Sequence, residues 1–164
     1  MFFEEVLVKA RRVLELANAA GVMVATAESC TGGMVACVLT DIAGSSSVVD
    51  RGFVTYSNEA KMEMIGVPEA TLASFGAVSE ETARAMARGA VDHSRAKVAV
   101  SITGVAGPGG GSELKPVGLV HFAAVTLGGD VLHVERRFGD LGRTNVREAA
   151  LDQALDLLAE ALQA

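Results

Sequence analysis

Aromatic residues are scarce in this chain of 164 residues, which contains no Trp, one Tyr and six Phe. Its core must therefore consist mainly of Val, Leu, Ala and Met. Half of the residues are hydrophobic and 18 are Gly, a composition typical of a globular fold with many turns and unlike that of disordered chains. The length fits a single domain over residues 1–164 and leaves no room for a comfortable second one.

Positive charge is also in short supply. The chain has 14 Lys and Arg against 20 Asp and Glu, which gives a net charge of −6. Nucleic-acid binding requires clustered basic residues that contact phosphates, so we expect no nucleic-acid partner. A small anionic substrate remains compatible with this charge, because one or two local Arg side chains are enough to bind it.

Cysteines and long apolar runs are likewise few. Cys30 and Cys37 are the two cysteines, and in one predicted helix they would lie about 10 Å apart along the axis, too far for a disulfide. Reduced thiols favour a cytoplasmic protein. No run approaches the roughly 20 apolar residues that cross a bilayer, and the first residues, MFFEEVLVKARR, are acidic before they are basic, unlike a secretory signal. We therefore expect no membrane partner.

The spacing of hydrophobic residues predicts an α/β fold. The predicted strands are 22–27, 48–56 and 97–103, followed by a β-hairpin of 118–127 and 131–138. The predicted helices are 3–19, 31–41, 58–65, one near Pro68, 79–93 and 144–162, with loops at 44–47 and 104–116. This order predicts one three-layer α/β/α domain with a mixed, mostly parallel sheet and one antiparallel β-hairpin.

Three polar segments, 28–33, 56–61 and 103–108, each follow a predicted strand. Ligands bind at the carboxyl ends of parallel strands in open α/β sheets, so parallel strands would bring these segments to one edge. In the first segment, the Ser29 hydroxyl would lie beside the free N–H groups of a helix start, which stabilise an oxyanion or bind a phosphate. Gly32 and Gly33 would allow close approach of a ligand. The alternative is that Ser29 only caps the helix.

The second segment contains Lys61, five residues after the only Tyr, Tyr56. A lysine with a lowered pKa removes the proton of a serine hydroxyl in some hydrolases, and burial or nearby positive charge lowers that pKa. The alternatives are a solvent-facing Lys61 and a Tyr56 packed in the core. Ser46, in the loop Gly-Ser-Ser-Ser, is a second candidate nucleophile, although such loops are usually turns.

The third segment begins a glycine-rich loop at Thr103 that includes Gly104 and Gly107. Successive backbone N–H groups of such a loop form an anion nest; the alternative is a long mobile loop. Near the start of the last helix, Arg143 and Arg147 are candidates for a phosphate clamp, or else belong to a solvated helix face. The spacing of His, Cys and carboxylates fits no zinc or calcium loop, so we predict no metal. We also expect His121 and His133 to be structural and to pair across the hairpin.

Several blocks in order along nearly the whole chain resemble the CinA C-terminal domain family. They are ATAESCTGG (25–33), TDIAGSS (40–46), RGFVTYSNEAK (51–61), GAVSEE (76–81), TGVAGPGGGS (103–112) and KPVG (115–118). Stand-alone members of this family hydrolyse the carboxamide of nicotinamide mononucleotide with a Ser/Lys pair, without metal or cofactor. The chain lacks the additional N-terminal domain of the larger members, which favours the stand-alone activity. A non-catalytic nucleotide-binding protein related to competence or damage induction is the alternative.

The resemblance implies roles for individual residues. Ser29 is the preferred nucleophile, with Ser46 left open, and Lys61 is the base. Backbone N–H groups of the helix start and of residues 104–107 would stabilise the oxyanion, and Lys61, through Tyr56, would return a proton to ammonia. The expected substrate-binding residues are Glu28, Thr31, Gly32, Gly33, Asn58, Thr103, Gly104, Gly107, Arg143 and Arg147. An exposed hairpin edge and an apolar helix face predict a homo-oligomer.

The chain departs from the family pattern at two places. Gly109 stands where the family commonly has Asp, so any role of that carboxylate is absent or lies elsewhere. The motif GDR before the last helix is written here as GDLGR, residues 139–143. The two departures leave open whether Arg143 or Arg147 contacts the substrate phosphate.

Overall fold

The computed structural model describes residues 2–164. Its helices are α1 (Glu4–Ala20), α2 (Met34–Thr40), α3 (Asn58–Ile65), α4 (Glu69–Phe75), α5 (Glu80–Asp92) and α6 (Arg143–Ala161), with a short 3₁₀ helix at Ser45–Ser47. Its strands are β1 (Val24–Glu28), β2 (Val49–Val54), β3 (Val98–Gly104), β4 (Leu119–Val125) and β5 (Val131–Arg137).

The five strands form one mixed sheet in the order β2-β1-β3-β4-β5. Strand β1 is parallel to both of its neighbours, β2 and β3, whereas β4 is antiparallel to β3 and to β5. Strands β1 and β4 are buried along their whole length and β3 along all but its last residue, as expected of strands covered by helices on both faces. Strand β5 is an edge, and its last three residues are exposed.

Helices cover both faces of the sheet. Alternate residues of β3 point to opposite layers: Val98, Val100 and Ile102 pack in a core with α1, α2 and α6, whereas Ala99 packs in a second core with α3, α4 and α5. The predicted three-layer α/β/α arrangement with one antiparallel hairpin is therefore confirmed. Among residues 2–164, no helix has both the length and the apolar character needed to cross a bilayer.

The structure corrects several predicted bounds; strand β1, for example, runs over Val24–Glu28 rather than 22–27. Helix α2 begins at Met34 rather than at residue 31, because residues 29–33 form a turn in which Gly32 (φ 59°) and Gly33 (φ 99°) take left-handed backbone conformations. Cys30 consequently lies before the helix, and both cysteines are free. Strand β2 ends at Val54, so Thr55 and Tyr56 lie beyond it. The segment 44–47, predicted as a loop, contains the 3₁₀ helix.

Candidate active site

The three polar segments converge at one edge of the sheet. Since β1, β2 and β3 are parallel, their carboxyl ends meet there. A cavity of about 290 Å³ opens at this edge, and residues of all three segments line it together with the start of α6. We call it the edge cavity; its polar lining residues include Ser29, Tyr56, Lys61, Thr103 and Arg143.

Ser29 and Lys61 are in direct contact inside the edge cavity. The Lys61 Nζ atom lies 3.1 Å from Ser29 Oγ and 2.8 Å from the carbonyl oxygen of Thr55. Ser29 directly follows β1, whereas Lys61 lies on the buried face of α3. The side chains are 9% and 1% exposed, respectively. A hydroxyl and a buried amine at hydrogen-bond distance form an arrangement that acyl transfer can use as nucleophile and base.

The surroundings of Lys61 favour its neutral amine. Burial lowers the pKa of Lys61 below its usual value, because desolvation disfavours the ammonium. Among the described residues, no Asp or Glu lines the cavity to oppose that effect. Burial also raises the pKa of the neighbouring Cys30 thiol to about 12, so that thiol stays protonated and is a poor nucleophile. Ser29 is therefore the nucleophilic group of the edge cavity that has a base beside it.

Glu28 holds the turn that presents Ser29. Its carboxylate is fully buried and accepts hydrogen bonds from the backbone N–H groups of Gly33, Val35 and Ala36 at 3.1, 3.1 and 2.9 Å. It also accepts from the hydroxyls of Thr26 and Thr31. The carboxylate therefore occupies the N-terminus of α2, where a negative charge is favoured.

This arrangement corrects the predicted role of the helix start. The N–H groups of Gly33, Val35 and Ala36 are already bonded to Glu28 and are not offered to a ligand. Four residues predicted to bind substrate do not line the edge cavity and instead build the turn behind Ser29. They are Glu28, Thr31, Gly32 and Gly33.

The glycine-rich loop forms the opposite wall. Its residues Val105, Ala106, Gly107, Gly109 and Gly110 line the edge cavity. The Val105 N–H donates to the Leu119 carbonyl at 2.9 Å, whereas the N–H groups of Ala106 and Gly107 have no acceptor within residues 2–164. These two groups are available for an anion, in keeping with the predicted nest.

Two of the predicted loop residues also have packing roles. Thr103 Oγ1 donates to the Ala77 carbonyl at 2.7 Å. At Gly104, a Cβ atom would lie 2.7 Å from the Val120 side chain and 2.8 Å from the Leu119 carbonyl oxygen. A larger residue therefore does not fit at position 104 without a shift of β4.

Arg143 and Arg147 occupy different positions. Arg143 lines the edge cavity, where it donates to the carbonyl oxygen of Gly107 at 2.9 Å and to the hydroxyl of Tyr56 at 3.0 Å. Arg147 points behind the turn and donates to the carbonyl oxygens of Cys30 and Thr31 at 3.0 and 3.2 Å. Of the two arginines, Arg143 therefore lines the edge cavity, and Arg147 supports the turn after Ser29.

Tyr56 does not contact the dyad through its hydroxyl. Its ring is 61% exposed at the mouth of the cavity, and the hydroxyl is bonded to Arg143. The predicted proton path from Lys61 through Tyr56 therefore has no hydrogen bond to follow. The position of the ring instead suits contact with a bound substrate.

Ser46 and Asn58 lie outside the edge cavity. Ser46 is exposed and lines a separate cavity beside β2, of about 650 Å³, together with Cys37 and Arg51. No lysine lines that cavity. Asn58 is the exposed first residue of α3, which is capped by the side chain of Ser57. The structure thus does not bring Ser46 or Asn58 together with Lys61.

Sequence reasoning missed three contributors to this site. Ala77 and Val78 form an apolar wall of the edge cavity just before α5, and the Thr55 carbonyl holds Lys61. Small apolar residues carry no chemical signal in a sequence, and a backbone carbonyl carries none at all. The block GAVSEE was the only available pointer to Ala77 and Val78.

The predicted histidine pair is present on the hairpin. His121 Nδ1 lies 2.9 Å from His133 Nε2, and His133 Nδ1 lies 3.7 Å from a carboxylate oxygen of Glu80. Burial lowers the pKa of both histidines, and the neighbouring His133 lowers that of His121 further. Over residues 2–164, no group of three or more His, Cys, Asp or Glu is arranged to bind a metal.

Comparison with known proteins gives consistent matches over most of the chain. The CinA C-terminal domain family model matches residues 8–162. The nicotinamide-nucleotide amidohydrolase PncC of Escherichia coli K12 is 54% identical over 155 residues, which are 94% of this chain and 93% of that protein. A CinA-like protein of Mycobacterium sp. strain MCS is 52% identical over 88% of this chain but only 34% of its own length.

A solved structure supports the same relationship. The competence/damage inducible protein CihA from Agrobacterium tumefaciens has a TM-score of 0.96 and 55% sequence identity. The match covers 100% of this chain and 99% of that one. The two chains therefore share both the fold and more than half of their sequence.

Proposed function

The chain belongs to the CinA C-terminal domain family and is an amidohydrolase, and we propose that it hydrolyses the carboxamide of nicotinamide mononucleotide to nicotinate mononucleotide and ammonia. The observation that carries this proposal is the contact of 3.1 Å between Lys61 Nζ and Ser29 Oγ inside the edge cavity. The name of the Escherichia coli relative supplies the substrate. The reaction would return nicotinamide mononucleotide to NAD synthesis.

In the acylation step, Ser29 Oγ attacks the carboxamide carbon while its proton passes to the neutral amine of Lys61. The electron pair of the C=O bond moves to oxygen, where backbone N–H groups of the cavity stabilise the negative charge. Those of Ala106 and Gly107 are free for this purpose. The oxyanion then collapses, the C–N bond breaks, and Lys61 gives its proton to the departing ammonia.

In the deacylation step, a water molecule attacks the acyl-enzyme ester and Lys61 takes its proton. Collapse of the second oxyanion breaks the ester bond and returns the proton to Ser29 Oγ. The product is released as a carboxylic acid, which loses its remaining proton to solvent and becomes the carboxylate. The cationic pyridinium ring withdraws electrons from the carbonyl carbon and so assists both attacks. The same pair therefore serves both half-reactions, with neither metal nor cofactor.

We propose that residues at the mouth of the edge cavity orient the substrate. Arg143 is the fixed cation there, and a guanidinium binds phosphate oxygens in a bidentate manner. The face of Tyr56 lies exposed beside it, and an aromatic face attracts a cationic ring. We assign the phosphate to Arg143 and the pyridinium to Tyr56, with the carboxamide directed towards Ser29.

A panel of three amides tests this function. Purified protein is incubated with nicotinamide, nicotinamide riboside and nicotinamide mononucleotide, and released ammonia is measured, with the Ser29→Ala variant as the control for contaminating amidases. We expect release from the mononucleotide at a much higher kcat/KM than from the other two. Binding of the mononucleotide without ammonia release would instead support the non-catalytic alternative, and equal rates on all three amides would overturn the nucleotide specificity.

The remaining expectations stay predictions. They are a cytoplasmic location, a homo-oligomer and a single functional domain over residues 1–164. Size-exclusion chromatography with light scattering measures the oligomeric state directly.

A further inference from the structure

One buried hydroxyl lacks a hydrogen-bond partner. Thr55 Oγ1 is the single buried side-chain nitrogen or oxygen atom without a partner in the part of the chain that the structure describes, and Thr55 is 0% exposed. Its backbone is fully engaged: the N–H donates to the Glu28 carbonyl at 2.9 Å, and the carbonyl accepts from Lys61 Nζ at 2.8 Å. A buried polar atom without a partner is unfavourable and calls for an explanation.

The hydrogen-bonding capacity of Lys61 points to that explanation. As a neutral amine, Lys61 has one lone pair and two N–H groups. The lone pair accepts the Ser29 hydroxyl, and one N–H donates to the Thr55 carbonyl. The ammonium formed by proton transfer has three N–H groups and no lone pair, and only these two oxygens accept from it within residues 2–164. One N–H of Lys61 therefore lacks an acceptor in both states within residues 2–164, and this lack costs more in the charged state, whose hydrogen bonds are stronger.

We propose that Thr55 is a positioning residue for Lys61 and that its Oγ1 accepts, directly or through one buried water, a hydrogen bond from the ammonium that Lys61 becomes when it takes the proton of Ser29. This inference rests on the proposed Ser29/Lys61 reaction. The unpartnered hydroxyl belongs to the residue whose carbonyl oxygen lies 2.8 Å from Lys61 Nζ. A small polar site of this kind holds a bridging water.

The consequence for the reaction follows from the charge balance. Attack by Ser29 moves one proton to Lys61 and creates an oxyanion on the substrate. A hydrogen bond to Thr55 Oγ1 is stronger from the ammonium than from the neutral amine, so it stabilises the transition state more than the resting enzyme. Such a bond also raises the pKa of Lys61 relative to a site without it.

The other titratable groups around the dyad are few, and Glu28, which precedes Ser29, is turned away from the cavity towards the N–H groups of α2. Cys30 follows Ser29, Tyr56 follows Thr55, and Arg143 reaches the cavity from the start of α6. From α5, which packs against α3, no titratable side chain lines the cavity. The Cys30 thiol is protonated at neutral pH because burial raises its pKa to about 12. The acidic limb of the kcat/KM profile is therefore assigned to Lys61.

The test compares Thr55→Val, which removes the hydroxyl while keeping the shape, with Thr55→Ser, which keeps it. Thr126→Val is the matched control, a buried threonine at the opposite edge of the sheet. We expect Thr55→Val to lower kcat by about tenfold or more and to move the acidic limb of the kcat/KM profile towards lower pH by about one unit. Activity rises as Lys61 loses its proton, so a lower pKa moves that limb down.

Thr126→Val should keep the kcat and the pH profile of the unchanged protein. Thr55→Ser should regain most of the kcat and of the acidic limb that Thr55→Val loses, because it keeps the hydroxyl. The denaturation midpoint of Thr55→Val should not fall, since the lost hydroxyl has no protein partner. If Thr55→Val keeps both the kcat and the acidic limb of the unchanged protein, the proposal is overturned. Should Thr55→Val fail to fold, Thr55→Ala replaces it and carries the same expectations for kcat and the pH limb.

A measurement without substrate separates this inference from the proposed function. The pKa of Lys61 is measured by NMR titration of ¹⁵N-labelled lysine side chains, with the Lys61→Met variant for assignment. Thr55→Val should lower that pKa even if nicotinamide mononucleotide proves not to be the substrate. An unchanged pKa of Lys61 in Thr55→Val would overturn the role of Thr55 whatever the substrate is.

Discussion

Arg143 holds the hydroxyl of Tyr56 at 3.0 Å across the mouth of the edge cavity, joining the start of α6 to the segment that follows β2. The same guanidinium donates to the Gly107 carbonyl at 2.9 Å. Three separate stretches of the chain are therefore tied together at the place where substrate enters. Arg143 is oriented before any ligand arrives, which lowers the entropic cost of binding.

Replacement of Arg143 should weaken substrate binding more than chemistry. In Arg143→Lys the bidentate geometry is lost, so we expect the KM for nicotinamide mononucleotide to rise about tenfold with little change in kcat. The kcat/KM for nicotinamide riboside, which has no phosphate, should be nearly unchanged. Arg136→Lys, an exposed change on β5, serves as the control. Equal losses on both substrates would contradict a phosphate contact.

The two candidate serines are separated by a pair of variants. Ser29→Ala removes the hydroxyl beside Lys61 and should reduce kcat by several orders of magnitude. Ser46→Ala alters an exposed residue outside the edge cavity and should keep activity within about twofold. Initial rates of ammonia release decide between them. The opposite pattern, with Ser46→Ala inactive, would transfer the nucleophile to the Ser46 cavity.

We expect Lys61 to be required for activity and to lower the free energy of unfolding. Lys61→Met should abolish turnover, as should Lys61→Arg, because a guanidinium stays protonated. Burial lowers the pKa of Lys61 in the folded protein, so the unfolded chain binds more protons between that pKa and about 10.4. We expect Lys61→Met to raise the free energy of unfolding by about 1 kcal/mol at pH 7.

The lowered pKa of Lys61 also determines how the free energy of unfolding changes with pH. The free energy of unfolding of the unchanged protein should rise with pH between the lowered pKa of Lys61 and about 10.4. The gain in stability of Lys61→Met over the unchanged protein should therefore shrink as the pH approaches 10. Urea unfolding at pH 7 and at pH 9.5 measures both effects. A Lys61→Met protein that is less stable than the unchanged one at pH 7 would contradict the lowered pKa.

Glu28 should matter for folding through its cap on α2. In Glu28→Gln, an amide NH₂ group replaces one of the two carboxylate oxygens. This NH₂ group faces backbone N–H donors, so at least one hydrogen bond is lost and donor meets donor. We expect a loss of about 3 kcal/mol in the free energy of unfolding. Glu160→Gln, an exposed change on α6, should be nearly neutral. Urea denaturation of both variants measures the difference.

The histidine pair should make stability depend on acidity. Both His121 and His133 have a lowered pKa in the folded protein because of burial. The unfolded chain therefore binds protons first as the pH falls through about 6.5, and the free energy of unfolding should decrease below that pH. Replacing both with Gln should flatten the profile between pH 5 and pH 7.5.

Much of the fold could be predicted from the sequence. The bounds of α3 were predicted without error, and those of α5 and α6 within one residue, because a capping serine or an apolar period marks them. The start of α2 was misplaced because Gly32 and Gly33 adopt left-handed conformations that extend the turn. The sequence shows where a glycine allows a left-handed backbone conformation, but it does not show which φ angle that glycine adopts.

The site was less predictable than the fold. Four residues predicted as site candidates line one cavity because their segments meet at the same edge of the sheet; they are Ser29, Lys61, Tyr56 and Arg143. The direction of Glu28 was not foreseeable, because the pattern ESCTGG fits a ligand contact as well as a helix cap. The burial of Lys61 depends on packing between α3 and α5, which lies beyond any local pattern.

The pairing of β1 with β2 has a further consequence. Glu28 is opposite Val54 in the parallel register, and the residue after each, Ser29 and Thr55, begins the site. A slip of one position along this pair would exchange inward for outward side chains and separate Ser29 from the carbonyl that holds Lys61. The rate at which ammonia release recovers during refolding would therefore report the rate at which β1 and β2 reach their native register.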